Sequence, residues 1–364
     1  MVVNKISKKL IKKLLQSKGY SSYISSILID KVLDDYKNNK GIDLRNKIWA
    51  YRKGFLSKNA LIYNLNEENI DEYLQDFAYY KLHPINGKFS KLIDDKITLK
   101  YVLNKYNNYL PEYYYKIEDK KFIPIFEGLY FNDSYDGFIN LLKEKNILAL
   151  KLINGSLGKG FYKITLLSND LVLINEKKCN FNELENFLRG LNGYIVTEYI
   201  RQHYMLNEIN SISLNTLRLM VIKIDGKSKI KRGFLRFGTE KTGVVDNASQ
   251  GGVFAYVDTV SGEFRDAKKK KGDLIENCSV HPDSRIEING EIPNYKTIIS
   301  KLHEISDFLS EIIYFGYDIA ITEDSFKIVE INSHQDISWH QYNQPLLIDD
   351  ELRSFYSKVE KGRK

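Results

Sequence analysis

The stretch that decides the fold runs from Gly316 to Asn332: Gly-Tyr-Asp-Ile-Ala-Ile-Thr-Glu-Asp-Ser-Phe-Lys-Ile-Val-Glu-Ile-Asn. Two β-rich runs flank the turn residues Glu323-Asp324-Ser325, so the segment predicts a closing hairpin from Tyr317 to Asn332. Side chains alternate along a strand, which sends Glu330 and Asn332 to one face and Val329 and Ile331 to the other. If the strands pair across that turn, Asp318 comes close to Glu330 or Asn332. Two carboxylates and an amide oxygen then share a small volume on an otherwise apolar sheet. The carboxylates repel unless a cation sits between them, and an all-oxygen set suits Mg²⁺ completed by phosphate oxygens. Taken alone, the same residues also suit a hairpin whose Asp318 starts a strand and whose Glu330 faces solvent.

The chain upstream bears on that choice. The strand Leu148-Ala149-Leu150-Lys151-Leu152 leads into Asn154-Gly155-Ser156-Leu157-Gly158-Lys159-Gly160 and then into a strand from Phe161 to Leu167. Three glycines with Ser156 let backbone N–H groups approach phosphate oxygens, and Lys151 and Lys159 add charge, so a phosphate-covering flap fits. Lys159 is followed by Gly160 and the loop opens a strand, which excludes the Walker A and dinucleotide-binding loops that open helices. An ordinary mobile hairpin tip fits as well. Thr197-Glu198-Tyr199-Ile200 ends the β-rich run Tyr194–Ile200 and offers backbone groups to an adenine. Further on, Thr216–Ile224 is joined to Ile230–Phe237 across Asp225-Gly226, a strong hairpin signal. A helix with Ile298, Leu302, Ile305, Leu309 and Ile312 on one face is predicted over Thr297–Ile313. The chain therefore reads as α+β.

At the other end, Ile6, Leu10 and Leu14, then Ile24, Ile27 and Leu28, recur near the helical period, and Glu67–Leu82 continues the pattern. His83-Pro84-Ile85-Asn86-Gly87 breaks it. Asp94-Asp95 then head a helix on which Leu99, Val102, Leu103 and Tyr106 share a face. The expected organisation is a helical region over 1–88, an α+β body over 89–345 (148–200 carrying the flap, 201–345 the metal site), and a C-terminal helix with a basic tail over 346–364.

Composition narrows the class. With 364 residues, 43% hydrophobic and 28% charged, the chain is an ordinary globular protein able to bury a large core. Cys179 and Cys278 lie far apart without metal-ligand spacing, so neither a disulfide framework nor a zinc site is indicated. No apolar run reaches the ~20 residues of a membrane span, and the N-terminus lacks a signal-peptide core, so the expected location is the cytoplasm. The formal charge of +7 favours anionic partners, though it is spread along the chain. Its one dense run, Lys268–Lys271, reads as a solvated loop before Gly272.

Taken in order, these pieces resemble the ATP-grasp superfamily, and within it the group associated with sugar transfer in bacterial surface-polysaccharide biosynthesis. The resemblance runs from about Lys91 to Gln341. It is carried by Asp95-Lys96, Lys151 with the Gly155–Gly160 loop, Thr197–Ile200 before Gln202-His203, Asn215-Thr216-Leu217-Arg218 and Arg236-Phe237-Gly238. Asp246-Asn247 with Gly251-Gly252, Asp258 to Gly262, His281-Pro282 and Gly316–Asn332 complete it.

The resemblance implies an ATP-grasp fold of two α+β lobes gripping ATP. It implies nucleotide contacts from Lys96, Lys151, Gly155, Ser156, Gly158, Lys159, Gly160, Glu198, Tyr199 and Ile200, with Lys100 a neighbouring candidate for the role of Lys96. Arg218 would meet the transferring or acyl phosphate. Arg236, Asp246, Asn247, Gly251 and Gly252 would lie on the substrate side, with Arg236 also grouped among the catalytic residues. Asp318, Glu330 and Asn332 would hold Mg²⁺. The implied reaction is ATP-dependent ligation of a carboxylate, such as a sugar acid, to an amine through an acyl phosphate, without nucleic acid or a membrane span. A kinase on the same fold, or a basic binding protein without catalysis, are the other readings. The acidic ribose contact common in such ligases has no match, since that stretch reads Gln202-His203. Trp339, with His334 and His340 nearby, reads as an anchor for the C-terminal loop in preference to a wall of the acceptor pocket, and His203 fits packing or ligand contact equally.

Overall fold

The structure is a computed structural model that describes residues 5–125, 134–155, 158–168, 170–272 and 274–362. Two antiparallel sheets organise it. The first holds seven strands: β1 (Tyr113–Glu118), β2 (Lys121–Pro124), β3 (Ile147–Leu152), β4 (Tyr162–Leu166), β5 (Leu171–Ile174), β6 (Lys177–Asn180) and β7 (Tyr194–Glu198), in the order β2-β1-β7-β3-β4-β5-β6. It starts well upstream of the flap region expected at 148. The Tyr113-Tyr-Tyr-Lys-Ile-Glu118 run pairs with both β2 and β7. Helices Tyr135–Lys145 and Phe181–Arg189 bury Phe138, Leu142, Leu184 and Leu188 against Leu148, Leu150, Ile164 and Val196.

The second sheet comprises β8 (Thr216–Ile224), β9 (Lys227–Phe237), β10 (Val253–Val257), β11 (Glu263–Lys271), β12 (Leu274–Asn277), β13 (Gly290–Glu291), β14 (Tyr314–Ile321) and β15 (Phe326–Asn332). Its order is β12-β11-β10-β9-β8-β14-β15, with β13 paired to β11. Asp225 and Gly226 turn the β8–β9 hairpin with φ of 50° and 79°, the left-handed pair that matches the twist of two-residue loops. Leu217, Leu219 and Leu235 face the helix Tyr295–Phe308, where Ile298, Leu302 and Ile305 close the largest core. The opposite face is shared. Met220, Ile222 and Tyr314 are covered by Leu74, Tyr79 and Leu82 from the N-terminal region and by Leu352, Phe355 and Tyr356 from the C-terminal helix Asp350–Lys361. Toward the other end of β8 the same face stays open and becomes the floor of a cleft.

Three local expectations change. Glu67–Leu82 is not one helix but a short turn at Ile70–Glu72 and a helix over Asp76–Lys81. The Asn66 and Asn69 side chains accept backbone N–H bonds there (Glu68 N to Asn66 Oδ1, 2.8 Å; Asn66 N to Asn69 Oδ1, 2.9 Å), offering the backbone an alternative to the helix. The last long helix ends at Phe308, where Lys223 donates to Leu309 O at 2.5 Å, and Leu309 and Ile312 fill the core from a loop. Lys268–Lys271 lies in β11, not in a loop. Cross-strand pairs from Lys269 (3.4 Å) and Lys271 (3.1 Å) to Glu276 of β12 offset its charge, while Phe264 and Ala267 of the same strand are buried. Cys179 and Cys278 are buried free thiols. Among the described residues no helix is long and apolar enough to cross a membrane.

Candidate active site

A cleft of about 550 Å³ lies between the two sheets. Register builds its floor. Phe234 of β9 stands opposite Arg218 of β8, Arg218 opposite Asp318 of β14, and Asp318 opposite Glu330 of β15. Directly opposed residues share a face, so four strands present these side chains as one rung, and Thr216 opposite Arg236 forms the next. The expected alternation along β15 fails at one residue. A bulge inserts Val329 between the pairs Asp318–Glu330 and Ile319–Ile328, and Val329 lines the cleft beside Glu330 and Asn332 in place of facing the core.

The charges on this floor are heavily interlinked. Arg218 binds Asp318 in a fork, with Nη2 to Oδ2 at 2.7 Å, and Arg236 Nη2 reaches Asp318 Oδ1 at 3.0 Å. Arg236 Nε also donates to Thr216 Oγ1 at 2.9 Å, and Asp246 accepts from Thr216 N at 3.0 Å and from the Thr216 hydroxyl. Burial alone would raise Asp318, but the two guanidiniums overcome it and hold the carboxyl at about 2. Burial raises Asp246 and Glu330, opposed by Arg236 and Lys96 respectively.

The other wall comes from the first sheet. Ala149 and Lys151 face the cleft from β3, and burial, helped by Lys96, brings Lys151 down to about 8. Lys96 heads its helix behind the cap Asp95, whose carboxylate accepts from Thr98 N at 2.8 Å. Its Nζ donates to Gly155 O (3.1 Å) and lies 3.5 Å from Glu330, so one side chain ties the glycine loop to the acidic rung. Lys100 points elsewhere, donating to Pro111 O at 2.6 Å outside the cleft lining. Gly155, Gly158 and Lys159 also line the cleft. Gly158 has φ +70°, and a Cβ there would lie 2.6 Å from Val245 of the loop after β9. The glycine loop of one sheet thus touches a loop of the other across the cleft. Glu198, Tyr199 and Ile200 line it after β7.

Hard oxygen donors, two carboxylates and an amide, suit Mg²⁺ at Asp318, Glu330 and Asn332. Asn332 Nδ2 lies 3.5 Å from Asp318 Oδ2. Among the described residues no cluster of three or more His, Cys, Asp or Glu side chains stands ready for a metal. The donor type fits Mg²⁺, and Asp318 would have to give up its arginine pairs to hold it.

The family described as sugar-transfer associated ATP-grasp matches residues 78–355. The chain belongs to that family. This ATP-grasp chain is 11% identical to D-alanyl-alanine synthetase A from Vibrio cholerae, with a TM-score of 0.43 over 74% of this chain and 65% of that one. An N5-carboxyaminoimidazole synthase from Aspergillus clavatus, solved with ADP and 5-aminoimidazole ribonucleotide, is also 11% identical (TM-score 0.38; 72% and 52%). The ATP-grasp ligase PsnB with a minimal precursor is likewise 11% identical (TM-score 0.40; 75% and 64%). The chain spans between about half and two-thirds of these solved chains. They are distant likenesses. No curated protein matches the chain.

Of the residues singled out in the sequence of this ATP-grasp protein, Arg218, Arg236, Asp246, Asn247, Asp318, Glu330, Asn332 and the nucleotide set Lys96, Lys151, Gly155, Gly158, Lys159, Glu198, Tyr199 and Ile200 meet at the cleft. Ser156 lies outside the described residues. Gly160, Gly251 and Gly252 do not line it. A Cβ on Gly252 would meet Phe237 O at 2.8 Å, so that glycine serves the close packing of its loop. Trp339 is more than an anchor. It packs edge-on against Phe254 and Tyr342 and also walls the cleft beside His334 and Asp336. Thr216, Phe234, Val244, Val245, Ala248 and Ser249 were not singled out as site residues. For Thr216 and Phe234 the usable signal was their strand parity with Arg218 and Arg236.

Proposed function

We propose that the chain is an ATP-dependent carboxylate–amine ligase acting on a sugar acid in surface-polysaccharide synthesis. The observation that carries this reading is the rung Arg218–Asp318–Glu330 facing Lys96 and Lys151 across one cleft. A carboxylate oxygen attacks the γ-phosphorus of ATP and ADP leaves. The amine then attacks the acyl carbon, loses a proton, and phosphate departs as the amide forms. Lys151, Lys96, Arg218 and Arg236 bind the phosphate oxygens and neutralise the charge that grows on them. Mg²⁺ held by Asp318, Glu330 and Asn332 would supply further charge neutralisation. The glycine loop, meeting Val245, shields the acyl phosphate from water. Phe234 and Trp339 give apolar faces, and Asp336 and His334 give hydrogen-bonding groups, at a part of the cleft suited to a sugar ring. The family's description supports the glycan context.

Purified protein with ATP, Mg²⁺ and panels of sugar acids and amines tests this by ADP release and mass spectrometry. The reading expects ADP and an amide that require both acid and amine. A stable phosphorylated product formed without amine overturns ligation in favour of a kinase. Full activity in Glu330→Gln overturns the metal assignment.

A further inference from the structure

The first helix, Lys5–Ser17, is mounted with its polar side inward. Lys8 pairs with Asp30 at 3.0 Å and Lys12 Nζ donates to Ser26 Oγ at 2.7 Å, so these lysines and half-buried Leu15 face the helix Ser22–Asn38. Leu10 (63% exposed), Leu14 (58%) and Ile11 (42%) point away from the protein. At 100° per residue these three fall within an arc of about 100°, with Lys9 and Lys13 beside it and Lys8 and Lys12 beyond the far edge. The helix carries five lysines and no acidic residue. Tyr23, at the start of the next helix, is 74% exposed.

We infer that this face binds the surface of an anionic lipid bilayer, the helix lying in the plane of the headgroups. A short helix with an apolar stripe and flanking lysines fits that role: the stripe enters the acyl boundary while the lysines reach up to phosphate groups. Thirteen residues are too few to span a bilayer, so the helix lies on it. A second copy fits poorly, because pairing two such faces sets lysines against lysines with no acid on the helix between them. Nucleic acid would satisfy the lysines but leave Leu10, Ile11 and Leu14 in water. The inference is independent of the reaction in the cleft and is read without activity.

The test is co-sedimentation of the full chain with vesicles of phosphatidylcholine alone or mixed with phosphatidylglycerol. Each lysine near an anionic surface is worth roughly fivefold in partitioning, so the expected preference for the anionic vesicles is at least about tenfold, weakened by salt. The doubles Leu10→Ser/Leu14→Ser and Lys9→Glu/Lys13→Glu should each drop binding to the phosphatidylcholine level with thermal unfolding unchanged, since all four side chains are exposed. No binding of the folded chain to anionic vesicles overturns the inference, as does equal binding by wild type and both doubles. Loss of a dimer in the leucine double without any vesicle binding assigns the face to a second copy instead.

Discussion

The two sheets bring cations to the same cleft in opposite states. On the first, Lys151 has no ion-pair partner among the described residues, and burial draws its ammonium down to about 8. On the second, Arg218 and Arg236 both clasp Asp318, which they hold at about 2. Lys151 keeps its charge without a direct ion pair, with Glu330 and Glu198 acting on it only from a distance, whereas the arginines are clasped by a carboxylate in contact. If the proposed function holds, the difference separates residues that serve binding alone from residues that also hold the fold, and it can be probed one side chain at a time.

The largest effect is expected at Asp318. Its side chain is 7% exposed and pairs with two largely buried guanidiniums, so Asp318→Ala strips Arg218 of its carboxylate, leaves Arg236 only Asp246, and should cost about 3–5 kcal/mol in thermal or denaturant unfolding. An unchanged transition would mean the network has no structural role. Lys151→Met should do the reverse. Folding stability holds or rises, because no partner is stranded, while stabilisation by Mg–ATP disappears from the same melt. A lost melting temperature without nucleotide would erase the contrast.

Titration gives a subtler separation. Lys151 is charged below about 8 and neutral above it, so nucleotide affinity of the free protein should fall as pH rises through that value. Lys151→Arg, which stays charged, should flatten the fall. The stability sign is opposite. A lysine with a folded pKa below its unfolded one makes the protein more stable as pH rises from about 8 toward the unfolded value near 10.4. Lys151→Met should reduce that slope without abolishing it, since burial also brings Lys100 to about 8. The smallest effect is expected where the halves touch. Gly158→Ala places a methyl group against Val245 at positive φ and should cost about 1–2 kcal/mol, part of it recovered in Gly158→Ala/Val245→Ala.

What the sequence disclosed follows the range of the forces involved. The hairpin of β14 and β15 was readable because its pairing is local, and the turn brought Asp318 near Glu330 or Asn332 without choosing between them. The bulge at Val329 was not, because no residue there signals it and it breaks the strict alternation on which the reading rested. Lys268–Lys271 read as a loop for a related reason, although Lys270 and Lys271 are exposed. A lysine run becomes a strand when Glu276 stands across from it and Phe264 and Ala267 anchor the strand in the core. Arg218 and Arg236 were named from the family resemblance, and the β8–β9 register sets them on the cleft face, whereas Val244, Val245 and Ser249 reach the cleft from a loop without periodicity. Leu10 and Leu14 were rightly seen as a helical stripe. Periodicity finds a stripe but not the direction it faces, and this one faces outward while Lys8 and Lys12 lie toward Asp30 and Ser26.

In the proposed reaction Asp318 would be at once the carboxylate offered to a cation and the clasp on the two arginines offered to a phosphate. A metal ion arriving alone would take from Arg218 its carboxylate and from Arg236 one of two, and a phosphate arriving alone would strip a buried carboxylate of its counter-charges. Arriving together, each supplies the partner that the other removes. The pair is therefore a logic gate with two inputs: Mg²⁺ and nucleotide should bind with positive cooperativity, each tightening the other by the same factor.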